Sequence, residues 1–142
     1  MEIVERMHKE ALKYNLCEMF TGSEDLQQIC DLLTSLQGSE FCRNNDFPSM
    51  AIFEEFKAKY DMKALGVYIN EGNISLTNPH KIALIGKTTA TLYFDTLTNH
   101  EVYLFKGASA TITACKWAVV FVRPQDGCQV EKIQKDNARI MK

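Results

Sequence analysis

From residue 78 onward the chain repeats itself about every ten residues, and that rhythm constrains its fold more than any other feature. Each unit holds a turn-forming pair, a small or polar residue, any residue, and usually a branched aliphatic. The units are Asn78-Pro79-His80-Lys81-Ile82, Thr88-Thr89-Ala90-Thr91-Leu92, Thr98-Asn99-His100-Glu101-Val102, Lys106-Gly107-Ala108-Ser109-Ala110, Lys116-Trp117-Ala118-Val119-Val120, Asp126-Gly127-Cys128-Gln129-Val130 and Asp136-Asn137-Ala138-Arg139-Ile140. The step is ten residues except for one of eight between the third and fourth units. Pairs such as Asp126-Gly127 and Asp136-Asn137 tolerate the left-handed backbone of a sharp corner. The small residues that follow, Ala90, Ala108, Ala118, Cys128 and Ala138, suit a chain bending into a narrow interior. Leu92, Val102, Val120, Val130 and Ile140 then stack inside.

Two architectures share this rhythm. In a β-solenoid, two strands and two corners make a coil of roughly twenty residues and like stacks on like. In an antiparallel sandwich or barrel, strands also recur every 8–12 residues or so. Hairpins need turn pairs but no small residue at the same place after each of them, and their loops vary in length. The sequence therefore favours the solenoid, with the antiparallel sandwich or barrel as the alternative.

Residues 1–63 have a different period. Ile3, Val4, Met7 and Ala11 recur at helical spacing. Ser23 is a candidate N-cap, with Glu24 and Asp25 in the first turn, for a helix whose apolar face is Leu26, Ile29, Cys30, Leu33 and Leu36. Gly38 is placed to stop it. Ser39 starts a short turn with Phe41 and Cys42, broken at Asn44-Asn45-Asp46. Ser49 caps a helix carrying Met50, Phe53, Phe56 and Tyr60. From residue 64 the period becomes two: Val67-Tyr68-Ile69 and Ile74-Ser75-Leu76 flank the turn Asn70-Glu71-Gly72-Asn73. The expected class is α+β: a short-helix N-terminal head, 1–63, capping a β-rich repeat region, 64–142, the two forming one cooperative unit.

Charge follows the same division. The first 63 residues carry 7 Lys+Arg and 12 Asp+Glu, and the remainder carries 9 and 6, a net of −5 against +3. That asymmetry favours head-to-tail contact between copies and is too small to suggest nucleic acid or a membrane surface. The five cysteines, Cys17, Cys30, Cys42, Cys115 and Cys128, are odd in number and form no Cys-x-x-Cys pair. The opening Met1-Glu2-Ile3-Val4-Glu5 is acidic and helical rather than a secretory leader. A reducing, cytoplasmic setting with cysteines as small core residues is expected. No apolar run reaches the roughly 18 residues of a membrane span.

Chemical motifs are sparse. Gly86-Lys87-Thr88 looks like the end of a phosphate loop, but Lys81 stands where that loop needs glycine, and a strand follows instead of a helix. His80, His100 and Cys128 hold the same place in their repeats, so a His100/Cys128-centred catalytic site is one alternative. The carboxylates Asp95, Glu101, Asp126, Glu131 and Asp136 read as solvated turn and strand charges rather than a glycosidase pair. Thr89, Thr91, Thr111 and Thr113 resemble the threonine ladder of ice-binding solenoids, though later copies do not sustain it. Lys132, Lys135, Arg139 and Lys142 guard the last coil against edge-to-edge pairing. No cofactor or metal is expected. If Leu92, Val102, Val120 and Val130 point inward, alternation turns Tyr93, Tyr103, Phe121 and Phe105 outward. Some of these pack under the helices, and the rest would form an aromatic binding face.

The order of features resembles a group of small bacterial and phage or mobile-element proteins with a helical head and a β-solenoid tail. The likeness rests on Glu40-Phe41-Cys42 and Phe47-Pro48 in the head. In the tail it rests on Ala110-Thr111-Ile112-Thr113-Ala114, Ala118-Val119-Val120 and Lys135-Asp136-Asn137-Ala138. It implies a fold and a genomic setting, and no reaction. Bactofilin-type polymerising solenoids are a more distant comparison, and their glycine-rich pattern is missing. The expected function is a non-enzymatic binding or assembly module, working through the aromatic face or the coil ends on a protein partner or another copy. A phage-encoded inhibitor docking on a host protein is a further alternative.

Overall fold

The computed structural model describes residues 2–14 and 20–142. Four helices, α1 (Glu2–Ala11), α2 (Leu26–Leu33), α3 (Leu36–Asn45) and α4 (Met50–Lys59), precede a 3-10 turn at Met62–Leu65. Nine strands follow: β1 (Val67–Ile69), β2 (Gly72–Thr77), β3 (Lys81–Ile85), β4 (Thr88–Phe94), β5 (Asn99–Phe105), β6 (Ser109–Ala114), β7 (Val119–Pro124), β8 (Gln129–Gln134) and β9 (Arg139–Met141). Odd strands form one sheet, ordered β1-β3-β5-β7-β9, and even strands form the other, β2-β4-β6-β8. Every pairing is parallel. Parallel pairing of alternate strands cannot come from hairpins, which join antiparallel neighbours. The repeat region is thus a two-sheet β-solenoid of about four coils.

From β3 onward paired residues lie twenty apart, as in Ile82↔Val102, Val102↔Val122 and Leu92↔Ile112. The first coil is shorter, with Val67 opposite Ala83 and Gly72 opposite Thr88. Four residues are missing from its second corner. Asn78 ties this short corner to the longer one above: its Nδ2 donates to Asp95 Oδ1 at 2.7 Å, and its Oδ1 accepts from the Asp95 amide at 2.8 Å. This register corrects the repeat frame. The pairs Thr88-Thr89 and Thr98-Asn99 lie two residues beyond the true corners, because the corners equivalent to Lys106-Gly107 and Lys116-Trp117 begin at Gly86 and Thr96. The step of eight is therefore no short coil.

Alternation along each strand divides the apolar residues between two cores. Ile82, Leu84, Val102, Leu104, Val120 and Val122 from the odd sheet meet Ala90, Leu92, Phe94, Ala110, Ile112 and Ala114 inside the coil. The alternate residues Val67, Ile69, Ala83, Ile85, Tyr103 and Phe105 face outward into the helices, where Ile3, Val4, Met7, Ile29, Phe53 and Phe56 cover them. The head therefore lies along the flank of the first three odd strands and is not confined to the end of the first coil. Ala108, Ala118 and Ala138 are fully buried directly after their corners, and Cys128 is half-buried there. Each corner closes with an amide three residues on, such as Ala108 N to Phe105 O at 3.3 Å and Ala138 N to Lys135 O at 3.1 Å. Lys106, Lys116 and Asp136 take the positive φ these corners need.

Two successive corners grip the head. Asp46, which ends α3 in the left-handed region, accepts from Lys106 Nζ on both its backbone oxygen (2.7 Å) and its carboxylate (2.9 Å). Gln125 Nε2 donates to the same carboxylate at 2.8 Å, while Gln125 Oε1 accepts from the Lys106 amide at 2.7 Å. These hydrogen bonds, Lys106 foremost and Gln125 next, hold the Asp46 carboxyl below its ordinary value. On the other side of the head, Arg6 clamps Glu55 with two bonds of 2.8 and 2.7 Å.

Three local expectations in the head change. Asp25, not Ser23, caps α2: its side chain accepts from the Gln28 amide, and Gln28 accepts in return from the Asp25 amide. That reciprocal box satisfies two free amides where a lone serine satisfies one. The third helix begins at Leu36, capped by Ser35, rather than at Ser39. Gly38 therefore lies in its first turn instead of stopping α2, and Leu36, on a new helix, is exposed. A Cβ on Gly38 would lie 2.1 Å from the Leu32 carbonyl oxygen and 2.7 Å from Ser35 Oγ. Helix propensity alone favours alanine over glycine by about 1 kcal/mol. The close approach to backbone reverses the sign, so Gly38→Ala should destabilise the protein by about 1–3 kcal/mol in urea unfolding. A stabilised variant would contradict the tight α2–α3 corner.

Candidate binding surface

The register decides which outward side chains are free. On the even sheet three outward columns run across the coils: Asn73-Thr89-Ser109-Gln129, Ser75-Thr91-Thr111-Glu131 and Thr77-Tyr93-Thr113-Ile133. No helix covers this face among the described residues. The third column carries the two largest side chains of this face, Tyr93 and Ile133, 41% and 37% exposed. The next corner adds larger ones. Leu97 and Trp117 occupy equivalent positions in successive corners, since the flanking pairs Phe94↔Ala114 and Asn99↔Val119 are both in register. They are 78% and 60% exposed. Neighbouring strands lie roughly 4.8 Å apart, so the two side chains stand side by side along one ridge.

The corner holds these residues firmly. The Lys116 amide donates to Asp136 Oδ2 at 2.9 Å, and Asn137 N reaches Lys116 O at 2.9 Å. Tyr93 Oη lies 3.2 Å from Cys115 Sγ, and this hydrogen bond raises the phenol above its ordinary value. Lys116 Nζ lies 3.9 Å from Asp95. The ridge is thus two large apolar side chains on neighbouring corners of mixed charge.

Of the four residues expected to form an aromatic face, only Tyr93 is open. Tyr103 and Phe105 point outward as alternation requires, but on the odd sheet, where the helices bury them completely. Burial first, then the hydrogen bond from its hydroxyl to Glu101, pushes the Tyr103 phenol up. Phe121 is half-buried on that sheet at the margin of the helices, with Arg123 5.7 Å from its ring centre. Leu97, an isolated leucine between threonines, gives no sequence signal of exposure. Trp117 stands in the corner pair Lys116-Trp117 that the repeat marks, whereas Leu97 is hidden because the repeat frames its corner two residues late, at Thr98-Asn99.

Cys128 does not share the column of the histidines, in which His80 stands opposite His100. His100 pairs with Val120 and thence Ile140, whereas Cys128 follows the Asp126-Gly127 corner at the opposite edge of the coil. The His100 ring is buried, with Nδ1 2.8 Å from the Pro79 carbonyl, Nε2 3.1 Å from both Thr96 and Thr98 hydroxyls, and Phe94 packed 4.7 Å away. Both ring nitrogens are occupied structurally. Burial raises the Cys128 thiol and drives Cys42 up to about 12, opposite to what activates a nucleophile. Cys30 and Cys115 are buried and free, and Cys17 lies outside the described residues. Among the described residues no group of three or more His, Cys, Asp or Glu could hold a metal ion. Thr88 opens β4 and donates to Ile85 O at 3.0 Å, so Gly86-Lys87-Thr88 is a solenoid corner. No described helix is long and apolar enough to cross a membrane.

On the head, a cleft of about 500 Å³ lies between α2 and α3, lined by Glu24, Asp31, Leu32, Leu36 and neighbouring polar residues. It combines two carboxylates with an exposed leucine. Thr21 and Gly22 amides bind the Glu24 carboxylate at 2.9 and 2.8 Å; burial opposes its ionisation, but these bonds together outweigh it and lower its value. No known protein family, curated protein or solved structure matches the chain.

Proposed function

We propose that the protein is a non-enzymatic assembly module whose copies join head to repeat, the Leu97/Trp117 ridge of one seating in the α2–α3 cleft of the next. The observation that carries this reading is the ridge itself: two large apolar side chains exposed on neighbouring corners. Tryptophan in such a place is the residue type that dominates protein interfaces. Charge supports the pairing, since the head is net −5, the repeat region +3, and the cleft carries Glu24 and Asp31. Lys116 beside the tryptophan faces that acid. A contact between different patches of the same chain is heterologous, so it generates rings or filaments rather than closed dimers.

Trp117 is the only tryptophan, so its fluorescence reports on the ridge directly. Raising the protein concentration should shift its emission to the blue while light scattering shows growth beyond the 16.2 kDa monomer. Trp117→Ser and, independently, Leu97→Ser should each weaken association about tenfold or more, as loss of a buried interface anchor of about 2 kcal/mol does. A wild-type protein that stays monomeric at millimolar concentration with solvent-exposed emission would rule this assembly out.

A further inference from the structure

Where α3 meets strand β7, two arginines line one cleft and neither forms an ion pair among the described residues. Arg43 from the helix and Arg123 from the strand line one cleft of about 330 Å³, together with Glu40, Asn44, Pro124 and Lys142. The Nε atoms of both arginines are buried and have no hydrogen-bond partner among the described residues. Among the described residues neither guanidinium has a carboxylate within 4 Å. Arg43 gives one bond of 3.3 Å to Ser39 Oγ, and Arg123 lies over Phe121.

A guanidinium offers five donors in a fixed fork. Leaving a buried donor unpaired forfeits its hydration with nothing in return, most of all for a charged group. Here two guanidinium groups, each with an unpaired Nε donor, line one cleft beside the exposed carboxylate of Glu40. Burial and then the neighbouring Arg123 charge both act to lower the proton affinity of Arg43, as an unmet cation pair should. The arrangement lacks an acceptor that is compact, doubly charged and rich in lone pairs.

We propose that Arg43 and Arg123 form an anion site for a phosphate group, held by both guanidinium forks at the junction of head and solenoid. Phosphate supplies three or more acceptor oxygens, and paired arginines bind it bidentately. A cleft of this size leaves room beside the phosphate for a small organic group. Inorganic phosphate and a small phosphate monoester are the two sources of that chemistry. The site lies apart from the Leu97/Trp117 ridge but shares Leu36 with the α2–α3 cleft, so binding is measured on dilute, monomeric protein, where it is read separately from assembly.

The test is an NMR titration of the arginine Nε–H resonances in the full-length protein, with inorganic phosphate and, separately, glycerol 3-phosphate. Sodium chloride at matched ionic strength is the control. Saturable shifts of the Arg43 and Arg123 Nε–H signals are expected. Tighter binding of glycerol 3-phosphate identifies a monoester as the source, and equal affinity identifies free phosphate. Arg43→Gln and Arg123→Gln should each weaken binding about tenfold or more, a loss of about 1.4 kcal/mol. Wild-type signals that move no further with either phosphate than with chloride would overturn the proposal. So would undiminished affinity in a folded double variant.

Discussion

Replacing Ile112 by lysine should unfold the protein, whereas a lysine already stands in the same column one coil later. Ile112 is fully buried between Leu92 below and Lys132 above. A lone ammonium in that place would lose its hydration without gaining a partner, a cost of several kcal/mol even after relaxation. Domains of this size hold a total of about 5–15 kcal/mol. Circular dichroism should show loss of the cooperative urea transition in Ile112→Lys. Lys132 escapes the same cost because no coil covers it and its side chain reaches solvent. Gln134, which follows Phe94 and Ala114 in its column, likewise turns back to accept from the Ile140 amide at 2.9 Å. Polar residues at inward positions thus finish the stack and deny a second molecule a place to continue it. A folded Ile112→Lys would mean that this column does not run through the interior.

The repeat region should not survive removal of the head. A fragment of residues 64–142 would expose Val67, Ile69, Ile85, Tyr103 and Phe105, all within 1% of complete burial in the whole chain. Tyr103 and Phe105 are among the largest fully buried side chains of the protein. Each such side chain contributes roughly 1.5–3 kcal/mol when covered, so their joint exposure removes a large part of the stabilisation. The fragment would also lose the Asp46–Lys106–Gln125 contacts that hold its corners. Expression of this fragment should give aggregated or unfolded material by size-exclusion chromatography and circular dichroism. A soluble fragment with a cooperative melt would show that the two parts are independent.

Much of the fold is written locally. Ala108, Ala118 and Ala138 after their corners, and Leu92, Val102 and Val120 inside, lie where stacked coils require them. The period change near residue 64 marks the boundary because helical and strand spacings differ so plainly. Phase was harder to read. In the early coils Gly86-Lys87 and Thr96-Leu97 make the corners, but Thr88-Thr89 and Thr98-Asn99 look equally turn-like. Choosing them shifts the frame by two residues. A shift of two keeps every side chain on its face, so the inward residues survive the error while the columns do not. That is why His100 and Cys128 looked aligned. The helix cover is a long-range matter: nothing near Tyr103 distinguishes it from Tyr93, and only the sheet to which each belongs decides which one the head buries. Arg43 and Arg123 stand 80 residues apart and carry no local sign of meeting.

The whole account depends on strands pairing in parallel with partners twenty residues away. Nuclear Overhauser contacts between backbone protons test this directly. Amide-to-α-proton contacts should link Val102 with the strand segment around Val122, and Leu92 with that around Ile112, while β5 and β6 show no α-to-α contacts with each other. Strong α-to-α contacts between strands consecutive in sequence would demonstrate antiparallel pairing, and neither the Leu97/Trp117 ridge nor the enclosed columns would then exist.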